Sequence, residues 1–221
     1  MKLTIVAATG GVGRQVLEQA FAAGHDVTAV VRNPAGLTRS VRAVVADLAT
    51  PDPATLESAV AGADAVLSGL GPRSSAEHGI VSRGTAAIVA AMEATGVRRI
   101  VAVSVAGVGT IPTPGRPNPP KRDLGAGFFV RYVISPLANR VLGKHYADVA
   151  QMEDILRRSA LDWTAVGLPV LTDKPPTGSF RTAYGQSVRR GLRISRADAA
   201  AFMLHAVNQP GTYGQSIAIA Y

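Results

Sequence analysis

The sequence contains no cysteine, which excludes disulfides and thiolate chemistry and fits a reducing interior. No apolar run reaches the ~20 residues needed to cross a bilayer, so no membrane partner is expected. Met1-Lys2 leads straight into a short apolar run and then glycines, without the pattern of a secretory leader, and the expected address is the cytoplasm. No cluster of residues has metal-ligand spacing, so no metal is expected. Acidic residues are few, 15 against 23 basic ones, giving a net charge of +8. That excess could serve nucleic acid, but the arginines are scattered, with only pairs such as Arg98-Arg99, Arg157-Arg158 and Arg189-Arg190, and aromatics are only 5%. The reading is a basic solvated surface that attracts anionic ligands, with no nucleic-acid partner. What remains is ordinary globular composition, 47% apolar and 17% charged, and a length of 221 residues that fits one domain over 1–221. There is no internal repeat and no domain linker.

The clearest positive signal lies at the start. Leu3 to Ala7 is a short apolar run with two β-branched members, followed by Ala8-Thr9-Gly10-Gly11-Val12-Gly13 and a helix-compatible stretch from Arg14 to Ala22. This reads as strand, tight turn and helix. A helix N-terminus offers unpaired N–H groups and a partial positive charge, and glycines let a pyrophosphate approach without meeting a Cβ. Thr9, Gly10, Gly11, Val12 and Gly13 are therefore candidate cofactor contacts, the alternative being a tight turn that binds nothing. Val27 to Val31 reads as a buried parallel strand ended by Arg32-Asn33-Pro34. An NAD site usually has an acid near this strand end, about twenty positions beyond the glycines; Arg32 instead suits the 2′-phosphate of NADP(H).

The spacing Ala7-x-x-Gly10-x-x-Gly13 resembles the G-x-x-G-x-x-G of the short-chain dehydrogenase superfamily. Ala-Thr-Gly-Gly-Val-Gly looks most like its atypical branch, which includes NmrA-like and biliverdin reductase B-like or flavin reductase-like proteins. Ala7 replaces the first glycine, adding a methyl group. The resemblance implies that Asp47 and Leu48, after a third strand at Val41 to Ala46, contact the adenine; Asp47 could equally be a turn residue. It also places the ribose and nicotinamide beside Ser68, Gly69, Leu70 and Gly71, which follow a fourth strand at Ala65 to Ser68. Open backbone at a strand's carboxyl end is where a doubly wound sheet puts its ligand.

Thr85 to Thr95 is helical by propensity and Gly96 can end it; Ile100 to Val103 is a fifth strand. The resemblance gives Ser104, at that strand's end and facing the nicotinamide, the role of binding a reacting carbonyl, against the alternative of satisfying backbone only. Residues 107–127 carry five prolines and several glycines and read as a lid or binding loop, followed by apolar residues including Phe128, Phe129 and Tyr132. Pro136 is expected to interrupt any single helix here, and 107–145 is read as lid, core or subunit contact, with a homo-oligomer left open. Glu153, Leu156 and Ser159 match the family's E-x-x-L-x-x-S. That register puts the Y-x-x-x-K pair on His145 and Val149, so both members are missing and the proton relay through a lysine-lowered tyrosine cannot operate. His145 could donate the proton instead, with Tyr146 the alternative if the register shifts by one.

Farther on, Leu168-Pro169-Val170-Leu171-Thr172-Asp173 looks like the family's R-P-x-x-L-T-D with leucine for arginine. Thr177-Gly178 and the following Arg181 to Val188 suggest a small substrate-side hairpin or extension, Ser195 caps a helix with Asp198 three residues on, and Ser216 to Ala220 is a last strand. The expected fold is α/β, a Rossmann-like doubly wound and mostly parallel sheet in a single domain with a small substrate-side region. The expected function is an NADPH-dependent oxidoreductase passing hydride to a small apolar or aromatic carbonyl, quinone-like, flavin-like or conjugated acceptor. The alternatives are a non-catalytic NADP-binding redox sensor of NmrA type, or a non-redox isomerase, dehydratase or cyclase on the same fold.

Overall fold

In a computed structural model the structure describes residues 1–72, 77–125 and 135–221, the side chains of 135–142 excepted. Strands β1 (Lys2–Val6), β2 (Asp26–Val31), β3 (Arg42–Val45), β4 (Ala65–Ser68), β5 (Arg99–Val105), β6 (Asp162–Leu168), β8 (Arg181–Tyr184) and β10 (Gln215–Ala220) form one sheet in the order β3-β2-β1-β4-β5-β6-β10-β8. Every neighbouring pair is parallel except β10 with β8. A separate parallel pair joins β7 (Val170–Thr172) to β9 (Arg193–Ser195). The chain starts in the middle, at β1, and turns outward in both directions. The crevice between the carboxyl ends of β1 and β4 is therefore the switch point where such sheets bind ligands.

Helices α2 (Pro53–Val60), α3 (Ile80–Thr95) and α4 (Ser135–Arg158) cover one face, α1 (Gly11–Ala22) and α5 (Arg196–Ala206) the other. Cover on both faces explains why β1 and β4 are apolar runs rather than alternating ones. Ile88, Met92, Ile100, Met152 and Leu156 fill the first layer; Leu3, Ile5, Leu17, Ile194 and Met203 fill the second.

Local signals act as expected at several ends. Asp52 accepts from the N–H of Thr55 at 2.8 Å to cap α2, Ser195 accepts from the N–H of Asp198 at 3.0 Å to cap α5, and Gly96 ends α3 at φ +74°. Other expectations are corrected. Pro136 does not break a helix; it is the second residue of α4, in the first turn, where a missing N–H loses nothing. α3 begins at Ile80 rather than Thr85, because the carboxylate of Asp148 on α4 accepts from the N–H groups of Val81 and Ser82, at 3.0 and 2.9 Å. β5 continues through Val105, so Ser104 lies inside the strand rather than beyond it. Of the two readings of Arg181 to Val188, the extension holds and the hairpin does not: the segment supplies β8, an antiparallel edge strand.

Among the described residues, no helix is long and apolar enough to cross a membrane, and no group of three or more His, Cys, Asp or Glu could hold a metal.

The start of α5 is held by Asp198, which is 0% exposed. Burial opposes its charge, but hydrogen bonds from Tyr221, the Thr177 and Gly178 N–H groups and Ser195 outweigh it and hold the carboxyl at about 2. Its unfolded value is 3.8, so this stabilisation is complete above pH ~4 and disappears as pH falls towards 2. Asp198→Asn should therefore lower unfolding free energy by on the order of 2 kcal/mol at pH 7 and by much less near pH 2. Urea unfolding at both pH values checks this, and a pH-independent gap would contradict it.

Candidate nucleotide crevice and adjoining cavity

The β1–α1 turn is built by close backbone approach. The N–H of Gly10 donates to the Ala7 carbonyl at 2.8 Å, and Gly10 precedes α1 in extended conformation with no side-chain cap. The first-turn N–H groups of a helix have no partner within it, so this end presents donors and the positive pole of the helix dipole. A Cβ on Gly13 would stand 2.2 Å from the Ala7 oxygen, and one on Gly69 would stand 2.8 Å from the Gly13 nitrogen. A Cβ on Gly11 would meet Arg196 Nε at 2.5 Å, a side chain that can swing away. The turn thus fits a dinucleotide pyrophosphate, with Gly10 to Gly13 supplying backbone; Val12 is 5% exposed and gives its side chain to the core. Ala7, where the resembling family has glycine, sits at φ +56°, so its methyl group is strained as well as extra.

Beside the turn, Thr9, Arg32, Leu48, Leu70, Gly71 and Glu77 line one pocket at the carboxyl ends of the strands. Leu48 is buried against the open face of Gly84, while Asp47 is exposed and accepts from the N–H of Ala49 at 3.0 Å, which is the turn role. Ser68 is buried, with its hydroxyl 3.4 Å from the N–H of Leu70. Arg32 is not surrounded only by basic neighbours: its Nη1 meets Glu77 Oε1 at 2.6 Å.

The three candidate catalytic residues are not gathered. Ser104 is 1% exposed and donates to Glu153 Oε1 at 2.6 Å, facing α4 with Ile100 and Ala102 rather than the crevice. Glu153 also accepts from Arg157 at 2.6 Å and Ser216 at 3.0 Å. His145 lies more than two turns away along α4, about 12 Å of rise. Its ring is half-buried, Nδ1 has no hydrogen-bond partner, and burial lowers its pKa despite the opposing charge of Asp148, so it is neutral at pH 7. Tyr146 stands 6.1 Å from it between ring centres, and burial raises its pKa, keeping the phenol protonated.

A larger cavity of about 570 Å³ lies between α4, the face of β6, β10 and β8, and residues 105–124. Its wall includes Arg116, Arg122, Glu153, Arg157, Trp163 and Tyr184, and it reaches the carboxyl end of β5 at Val105 to Gly107. The proline-rich stretch is tied down over it. Gly115 N–H donates to Asp154 at 3.0 Å, and Asp123 accepts from the N–H groups of Ser187 and Gly125, at 3.0 and 2.9 Å. Phe128, Phe129 and Tyr132, expected to supply substrate contacts, lie outside the described residues. Glu153, Arg157 and the arginines of the loop were not singled out as site residues in the sequence; Glu153 served there only to set a register.

A family model for NAD(P)H-binding matches residues 7–210, from the glycine turn almost to β10. The chain belongs to this NAD(P)H-binding family. Among solved structures, it is similar to the oxidoreductase ylbE of Lactococcus lactis at 21% identity, TM-score 0.79, covering 100% of this chain and 90% of that one. It is also similar to the anaerobilin reductase ChuY of Escherichia coli O157:H7, at 22% identity, TM-score 0.77 and coverage of 100% and 97%. A short-chain dehydrogenase/reductase of Veillonella parvula in complex with NADP matches at 19% identity, TM-score 0.73 and coverage of 100% of this chain and 94% of that one.

The crevice geometry makes opposite predictions for two neighbouring positions. Ala7→Gly relieves a left-handed alanine and should leave stability unchanged or raise it by up to ~1 kcal/mol. Gly13→Ala drives a methyl group into a backbone oxygen and should lower stability by ~3 kcal/mol or more, with loss of dinucleotide binding. Thermal unfolding and cofactor titration of both variants check the pair.

Proposed function

We propose that this NAD(P)H-binding protein is an NADPH-dependent reductase acting on a small apolar or aromatic carbonyl, quinone-like, flavin-like or conjugated acceptor. The observation that carries the reading is the cavity of about 570 Å³ at the end of β5, one strand from the glycine crevice, with apolar and aromatic walls and arginines among them. That size suits a small ligand, and a basic lining suits an acceptor with anionic groups. An anaerobilin reductase of Escherichia coli O157:H7 shares this fold, which accords with a reductase.

In this reading Gly10 to Gly13 hold the pyrophosphate, Arg32 holds the 2′-phosphate, Leu48 packs on the adenine with Asp47 shaping its turn, and Ser68 to Gly71 border the ribose and nicotinamide. The bound cofactor supplies the hydride. Trp163 and Tyr184 offer flat apolar surface to an acceptor, and Arg116, Arg122 and Arg157 offer charge. Ser104 acts as a positioning residue, since its hydroxyl fixes Glu153 in the cavity wall. His145 and Tyr146 line neither pocket, so the proton comes from water; neither has the family's lysine four residues on, where Val149 and Ala150 stand buried in the core. A flat conjugated acceptor, reduced by placement of the hydride, depends little on the missing pair. Loop 107–125 forms the cavity's cover.

One observation favours the rival reading of an NADP-binding sensor or a non-redox enzyme: Ser104 is already engaged by Glu153.

Two measurements test the proposal. Calorimetric titration should show tighter binding of NADP⁺ than of NAD⁺, with Arg32→Ala losing about tenfold or more of NADP⁺ affinity and little of NAD⁺; equal loss of both would remove Arg32 from the site. Following NADPH absorbance with quinones, flavins, enones and linear tetrapyrroles should give saturable oxidation. Arg116→Ala should raise KM for anionic acceptors several-fold, and His145→Ala should leave kcat within about twofold if water donates the proton. Tight NADPH binding without turnover of any acceptor would transfer the reading to the sensor or the non-redox enzyme.

A further inference from the structure

Arg32 follows directly on β2 and points its guanidinium into the wall of the nucleotide pocket, where the Glu77 carboxylate meets it at 2.6 Å. Glu77 comes from 45 residues farther along the chain, just before α3, and its own carbonyl accepts from the N–H of Ile80 at 3.4 Å. Both side chains line the pocket together with Thr9, Leu48 and Leu70. Acid and base therefore stand side by side where a dinucleotide site distinguishes a ribose 2′-hydroxyl from a 2′-phosphate. The two groups ask for opposite ligands: a hydroxyl donates to a carboxylate, whereas a phosphate accepts from a guanidinium and is repelled by a carboxylate.

We propose that Glu77 is a cofactor-specificity residue of this site, competing with the 2′-phosphate of NADP(H) for Arg32 and accepting the ribose 2′-hydroxyl of NAD(H). The inference rests on the reading that Arg32 faces the cofactor's 2′ position. A guanidinium has five donors, and the bond to Glu77 engages Nη1, so a phosphate gains the remaining donors at once and the whole fork only when Glu77 withdraws. The pair makes the site tolerant of both cofactors and limits the preference for NADP(H) that Arg32 alone would give. Side-chain exposures of 36% for Arg32 and 21% for Glu77 leave room for the carboxylate to rotate into water.

The test is calorimetric binding, without turnover, of NADP⁺ and NAD⁺ and of the fragments adenosine 2′,5′-bisphosphate and 5′-AMP. Wild type, Glu77→Gln, Glu77→Ala, Arg32→Ala and Arg32→Ala/Glu77→Gln are compared after thermal unfolding confirms that each is folded. Glu77→Gln should tighten NADP⁺ and the bisphosphate about five- to tenfold and weaken NAD⁺ about two- to threefold, and the gain should vanish in the double variant. An unchanged NADP⁺ to NAD⁺ ratio in both Glu77 variants, with Arg32→Ala still losing NADP⁺, overturns the inference alone. If Arg32→Ala keeps full NADP⁺ affinity, the assignment of Arg32 fails and the inference with it.

Discussion

The close approach of three backbone segments, the ends of β1 and β4 and the first turn of α1, governs the rest of the molecule. Gly13 and Gly69 are packed so tightly against Ala7 and each other that a single methyl group at either would overlap backbone. That contact brings the open end of α1 to the point where the sheet order reverses, and it sets the distance from there to β5. The strain at Ala7 is tolerated because the surrounding contacts fix the turn from several sides. A helix end with open N–H donors and a buried helix start are thus produced by one packing event, and neither can be altered independently.

On the other side of β5 a buried polar network plays the corresponding role. Glu153 is 3% exposed and is shared among Ser104, Ser216 and Arg157, which joins β5 and β10 to α4 across the sheet face. A buried carboxylate is tolerable only when its lone pairs are occupied, and three donors do this here. Because the network borders the cavity, the same bonds that hold α4 against the sheet give the cavity its polar wall.

Much of this was legible from residues whose effect is local. The runs at Leu3, Val27 and Ala65 could only be buried strands, the glycines after β1 could only be a tight turn, and Ser195 and Gly96 mark helix ends by their own chemistry. What escaped the sequence depends on partners distant along it. The true start of α3 is fixed by Asp148 from another helix, and Arg32 acquires Glu77 from a connection that no spacing rule would search. Pro136 was misread because a proline has opposite meanings in a helix interior and in its first turn. Ser104 was placed at the end of a strand drawn only to Val103, whereas β5 runs on to Val105 and the period of a pleat turns its hydroxyl towards α4.

The cap that Asp148 provides also has a mechanical meaning. Its carboxylate grips the first turn of α3, which begins three residues after Glu77 and contributes Ile80 to the wall of the pocket beside Arg32. Little more than one helical turn farther along the same rod, Glu153 forms part of the cavity wall. The two chambers are therefore hung on one rigid strut. A tilt of α4 large enough to reshape the cavity would strain the two hydrogen bonds that the first turn of α3 donates to Asp148, so the walls of both chambers share one support.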